Sequence, residues 1–407
     1  YYYDSEETIY KRLFQDLKEA VEWLKDFRDS SPSQDLLDDF KRADKVCDGD
    51  IDKWIKFANT LRLRIAMQLV KVYPDSQKEA EDAVRDGVLT NSDSDVVLKS
   101  GLMLFRIEDL WNDTRANANI ISILQGYSDP RLERWFATNN ADIYSTDDEL
   151  SPVVEKATKY LGVRQGVPMT RTEYQGYSKT SRVGIPEQGP RPVLRVAEAY
   201  FLRAEGMLRN WNMGDGTPES LYNEGIHSAW ASVLGDESGW AGTYESYING
   251  FINTEEGGDF DWELFEGGFG SAPYINYRNQ EYNYYIEENG KQVGINRISV
   301  RWHDEDSPEK KLQRIITQKW ISFFPTLSSV AWTEYRRTGY PKLIPIPSDL
   351  NYSNGAIDTE LQIRRLPFTQ SEYRGNTEEV NKALGLLKGP DNGGTRLWWD
   401  VDKGNFE

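Results

Sequence analysis

The sequence predicts a mainly α-helical fold of helical hairpins, with long irregular loop regions and little strand. Three observations carry that expectation. Apolar residues recur every three or four positions in several separate runs. Two such runs are joined by a tight Gly-rich turn. Two long stretches between the runs have no period. At 407 residues the chain can bury a core without disulfides or metals. The single cysteine, Cys47, excludes an internal disulfide framework and any cysteine-rich metal site.

Taken in order, Ile9–Phe27 carries the stripe Ile9, Leu13, Leu17, Ala20, Val21 and Leu24. A polar link, Ser30–Gln34, leads to a short helix near Leu36–Val46. Asp50 is placed to cap the next helix, because its carboxylate can accept orphan N–H groups. Trp54, Phe57, Ala58, Leu61, Ile65 and Leu69 form the apolar face of that helix, before Pro74. Another helix is expected over Lys78–Val88. Turn formers Asn91–Asp95 open a loop or extended stretch over 90–115. Short helices are expected at Asn117–Gln125 and Pro130–Ala137, then long loop with short strands from Thr138 to Pro192.

The stripe Leu194, Ala197, Phe201, Ala204, Leu208 and Trp211 marks a strong helix, broken at Gly214-Asp215-Gly216. Pro218 starts its partner, which carries Leu221, Gly225, Ile226, Ala229 and Val233. The pair resembles a degenerate tetratricopeptide unit without meeting the full repeat consensus; a plain helical hairpin fits the spacing equally well. Residues 235–305 form a second irregular stretch, dense in Gly and aromatics. Long structureless segments in compact domains tend to be functional. Helix returns at Lys310–Phe324 and Ser328–Arg336, and the tail has one short helix near Glu378–Leu387. The expected layout is one domain over 1–407. Its helical scaffold covers roughly 6–89, 191–234 and 308–337, its ligand-facing irregular regions 90–190 and 235–305, and its tail 343–407.

The formal net charge of −18, with no dense Lys/Arg cluster, argues against nucleic acid and anionic membrane surfaces as partners. No apolar run is long enough to span a bilayer as a helix. Catalytic motifs are missing: the chain has no nucleophile elbow, zincin motif or P-loop. Its two histidines, His227 and His303, stand apart from any nucleophile pattern. Asp48-Gly49-Asp50-Ile51-Asp52 starts like a calcium loop, but Lys53 and Asn59 occupy the positions that need Gly and Glu. No carboxylate pair is singled out among 66 acidic residues. The residues by themselves single out no reaction, no cofactor and no metal, and a carboxylate pair stays open.

Aromatic residues make up 13% of the chain, with 13 Trp, 23 Tyr and 15 Phe. Trp and Tyr join a flat apolar face to a polar tip, so they serve a core and a wet binding surface alike. Most pack; those in irregular segments are the candidates for stacking on sugar C–H faces or on peptides. The candidate ligand-binding residues are Trp111, Tyr174, Tyr177, Trp240, Trp262 and Tyr274.

Several blocks resemble one known family. Gly49–Arg64 looks like the hallmark helix of SusD/RagB-type proteins, and Arg195–Gly206 like their E-x-Y-x-L-R-A-E helix. Ile315–Ile321 with Trp332–Pro341 resembles their Q-K-W and W-x-x-x-R-R-T-G-Y-P block, and Ile363–Phe368 and Leu397–Asp400 fit the family's end. The resemblance implies a SusD-like α-α superhelix of tetratricopeptide-like pairs. It also implies a surface lipoprotein of the bacterial outer membrane that binds glycans or other nutrients beside a TonB-dependent, SusC-like transporter and is not an enzyme. The family's lipid anchor is not in this sequence, and an N-terminal portion of its pattern is expected to lie outside the numbering. Cys47 falls within the fold and is not the lipid cysteine. The blocks read as architectural: Arg336 and Arg337 on carboxylates or helix-end carbonyls, with Trp54, Trp211, Trp320, Trp332, Trp398 and Trp399 packed. Peptide capture, or a transporter-associated scaffold with little affinity of its own, remains the alternative.

Overall fold

A computed structural model describes residues 2–98, 114–138, 160, 162–166, 177–179, 191–234, 244–254, 286–288, 291–293, 295–346 and 348–407. Its helices are α1 (Glu6–Asp29), α2 (Gln34–Ala43), α3 (Ile51–Gln68), α4 (Ser76–Arg85), α5 (Ala118–Gly126), α6 (Arg131–Trp135), α7 (Val196–Leu208), α8 (Pro218–Leu234), α9 (Tyr244–Ile252), α10 (Pro308–Ser322), α11 (Ser328–Thr338), α12 (Gln370–Gly375) and α13 (Thr377–Leu384). The described strands are short: β1 (Val96–Leu98) pairs antiparallel with β2 (Arg191–Leu194), and β3 (Ile286–Glu288) with β4 (Lys291–Val293). The mainly α fold is therefore as the periodicity predicts.

Helix starts follow local chemistry. Ser5, Ser33, Asp50, Asn117 and Ser307 each accept a backbone N–H of the first turn. Asp50 accepts from Lys53 N at 2.9 Å, which is capping and not calcium ligation. Gly339 ends α11 at φ +76°, a left-handed value that glycine adopts without a Cβ penalty.

The expected hairpin is α7–α8, and α7 also packs on α3 and α10, placing it at the centre. Gly225 makes the close approach possible, since a Cβ there would come 2.6 Å from the Phe201 ring. The main core joins Leu63, Met67, Phe201, Leu202, Tyr222, Ile226, Trp230 and Ile315, and Cys47 is buried within it. Burial, then Asp44, pushes the Cys47 thiol up to about 12, so it is an inert packing residue.

Two features depart from the periodic reading. Helix α9 lies inside 235–305, where no periodic run was expected. Ile248, Phe251 and Ile252 turn to the core at helical spacing, a pattern diluted by Asn249 and Gly250. The tail carries α12 as well as α13, too short for a periodic signal.

Strands β1 and β2 close a long excursion. Val96 pairs with Leu194, and Asp95 Oδ1 accepts the Val196 N–H at 2.8 Å. Helix α7 is thus capped by a residue about a hundred positions earlier, in place of its own Arg195, whose side chain makes no cap bond.

Candidate ligand-binding face

Of the six sequence-selected residues, Trp111, Tyr174, Trp240, Trp262 and Tyr274 lie outside the described residues. Tyr177 is described and is buried, with 4% of its surface exposed. It sits in a small backbone ladder: Ser178 O accepts from Ala116 N at 2.8 Å, and Ala116 O from Val163 N at 2.7 Å. Ala137 N donates to Lys179 O at 2.8 Å. The described residues that border the first irregular region are therefore hydrogen-bonded to one another.

The second irregular region is tied to the first. Tyr127 Oη donates to Ile298 O at 2.9 Å, and within the second region Arg301 N donates to Thr254 O at 3.2 Å. Arg131 is 1% exposed and is clamped by Asp129 through Nε at 2.9 Å and Nη2 at 2.5 Å. Its guanidinium stands 5.5 Å from the Trp135 ring centroid, 5.1 Å from Trp230 and 5.7 Å from Phe251. The sequence reading did not select Arg131; its only local signal is the Asp129-Pro130-Arg131 corner.

A cleft of about 470 Å³ opens beside these roots, between the start of α5, the end of α10, the first turns of α11 and the C-terminal segment. Trp320, Phe323, Phe324, Trp332 and Tyr335 supply its aromatic wall. Two polar tips on that wall are already engaged: Trp332 Nε1 donates to Ile363 O at 2.9 Å and Tyr335 Oη to Glu360 O at 2.6 Å. Burial pushes the Tyr335 hydroxyl up to about 12. The wall thus offers ring faces, and Leu366 on the rim is 72% exposed. Asn119 and Gln362 add amides, and the buried Gln362 Nε2 finds no partner among the described residues. Flat apolar faces beside amides can take a sugar or an apolar side chain. Trp320 and Trp332, read from sequence as packing residues, both border this cleft.

The family-like blocks have another role. Their charged residues form a buried chain of alternating sign: Arg64, Glu198, Lys319, Glu334, Arg337, Glu205 and Arg209. Arg64 is bidentate on Glu198 at 2.7 and 2.5 Å, and Arg337 on Glu205 at 2.6 and 2.7 Å. Burial alone would raise Glu205, but Arg337 and Arg209 outweigh it and hold the carboxyl at about 2. Burial is likewise outweighed at Glu334, held low by Arg337 and Lys319. Next to this chain, Arg336 lies between Trp332 at 3.6 Å and Trp399 at 4.7 Å and donates to Arg364 O at 2.6 Å. Arg364 returns a bond to Arg336 O at 2.6 Å and pairs with Asp400. These charges are structural, as the blocks implied. Among the described residues, no His, Cys, Asp and Glu group could hold a metal ion, and no helix is long and apolar enough to cross a membrane.

A family described as SusD-like, SusD and RagB outer membrane lipoprotein, matches residues 1–244 and 269–400. Among solved structures, the chain is similar to a chitin-binding SusD homologue from Flavobacterium johnsoniae. Identity there is 37% and the TM-score 0.80, covering 100% of this chain and 74% of that one. It is also similar to a SusD-like protein from Bacteroides thetaiotaomicron, with 31% identity, TM-score 0.78 and 99% and 74% coverage. A SusD homologue from Bacteroides uniformis gives 30%, 0.78, 99% and 74%. No curated protein matches the chain.

Proposed function

This chain belongs to the SusD-like family of outer-membrane lipoproteins, and from that premise we propose that it captures a nutrient at the cell surface, most simply an oligosaccharide, as partner of a TonB-dependent transporter. The observation that carries the reading is the 37% identity, along the whole chain, to a chitin-binding homologue. The chemistry agrees. Sugars present C–H faces that stack on Trp and Tyr, and no catalytic constellation accompanies the aromatics in the sequence. Contacts fall to Trp111, Tyr174, Trp240, Trp262 and Tyr274 in the two irregular regions, with Tyr177 supporting them from the core. The protein works by binding and releasing its ligand unchanged.

Calorimetry against chitohexaose, other glycans and a peptide panel tests this. Saturable binding of a glycan without release of reducing sugar is the expected result. Binding of peptides alone replaces the ligand class. No binding by the isolated chain, with tight binding by a transporter complex, makes it a scaffold.

A further inference from the structure

We propose that Arg131 is a positioning residue for ligand capture, holding the roots of the two irregular regions against each other; the inference rests on the capture reading above. Rings from three helices meet at this one side chain. Trp135 ends α6, shortly before 139–159. Trp230 belongs to α8, whose end at Leu234 precedes 235–243. Phe251 belongs to α9, whose end at Ile252 precedes 255–285. The guanidinium faces all three rings within 5.7 Å, and Trp230 and Phe251 themselves meet at 5.6 Å with planes tilted by 56°. Arg131 Nη2 also reaches Gln318 Oε1 of α10 at 3.3 Å. One residue therefore joins the first region's root to the second's and both to the scaffold.

The chemistry suits that task. A guanidinium is planar and weakly hydrated, so it can face several rings while its edge stays on a carboxylate. Asp129 supplies that carboxylate from two residues away and also accepts the Arg131 N–H at 3.0 Å, which fixes the fork before any distant ring arrives. Nη1 is buried with no partner among the described residues. An apolar residue in its place would pack the rings but would leave Asp129 buried without its cation. A lysine keeps the charge and loses the plane and the fork.

The test uses Arg131→Lys, with Phe251→Leu as a second variant that removes one ring and no charge, and Arg364→Lys as a control at another buried arginine–carboxylate pair. Hydrogen exchange in the ligand-free protein is read in the last turns of α6, α8 and α9 against α3 and α7. Calorimetry with chitohexaose is read alongside. Expected for Arg131→Lys and Phe251→Leu is exchange at least tenfold faster in α6, α8 and α9 but not in α3 or α7, with affinity at least tenfold weaker. Arg364→Lys should do neither, whatever its effect on melting. Unchanged exchange in α8 and α9, exchange raised equally in α3 and α7, or local loosening with unchanged affinity would each overturn the proposal. If the unaltered protein binds no glycan, the capture reading falls, and the exchange measurement still decides whether Arg131 ties the roots. Should Arg131→Lys fail to fold, Phe251→Leu carries the same comparison.

Discussion

Arg337 and Arg131 are both buried arginines, and they are satisfied in different ways. Arg337 sits in the scaffold between two carboxylates, Glu205 and Glu334, in a network that runs from α3 to α11. Arg131 sits among α6, α8 and α9 with one carboxylate and three aromatic rings. Ion pairs with bidentate geometry fix both distance and angle, so the first arrangement locks helices in one packing. Ring faces tolerate sliding and tilt, so the second joins segments while allowing them to differ. The same side chain thus serves a rigid ionic network in one place and a more tolerant junction in the other.

The strongest way to break that contrast is Glu205→Gln. It leaves Arg209 and half of Arg337 buried without a countercharge, and should cost about 3–5 kcal/mol in urea unfolding. A loss below 1 kcal/mol would mean that the network is not what holds the helices. Acid should act on the same group. Glu205 is held at about 2, below its ordinary 4.5, so its contribution is complete above pH 4.5 and is lost as pH falls toward 2. Unfolding free energy should therefore drop by on the order of 3 kcal/mol between about pH 5 and 2, a slope that Glu205→Gln reduces. A flat profile in the parent protein would contradict the assigned charge.

Smaller effects sharpen the other side. Trp240→Ala and Trp262→Ala should each weaken glycan binding by about 1–3 kcal/mol, taking base–aromatic stacking as the proxy. Unchanged affinity in both by calorimetry would move the site elsewhere. Trp332→Ala in the cleft should cost about 1 kcal/mol of stability through its lost contact with Arg336. If it also weakens glycan binding, the cleft joins the ligand face; if not, the cleft is separate from it.

Legibility followed the range of the interactions. The stripes of α3, α7, α8 and α10 are readable because helical periodicity is local; that of α1 is right only in part, since Ile9 and Leu13 are exposed and Phe14 is buried instead. Asp50 is readable as a cap because its partner lies three residues away. Helix α9 was hidden by its short run. The charged chain could not be read from spacing, since Arg64 meets Glu198, and Glu205 meets Arg337, across more than a hundred positions. Resemblance marked those residues as architectural without saying how they connect. Of the candidate site, the aromatic content was visible and the neighbours of Tyr177 were not. Arg131 and its rings are brought together by three separate helices, and nothing in the chain order announces their meeting.

The clasp formed by β1, β2 and Asp95 has an evolutionary consequence. Both ends of the excursion are fastened to the scaffold at one place, through Val96 with Leu194 and Asp95 with Val196. Once two ends are fixed, the entropy of closing the loop grows only logarithmically, by about 0.6 kcal/mol per doubling of length. Length can therefore be added to this segment at small energetic cost, provided that α5 and α6 keep Ile121, Leu124 and Trp135 in the core. What lies outside those two helices is a cassette, and new specificities can be tried in it while the frame that holds it stays the same.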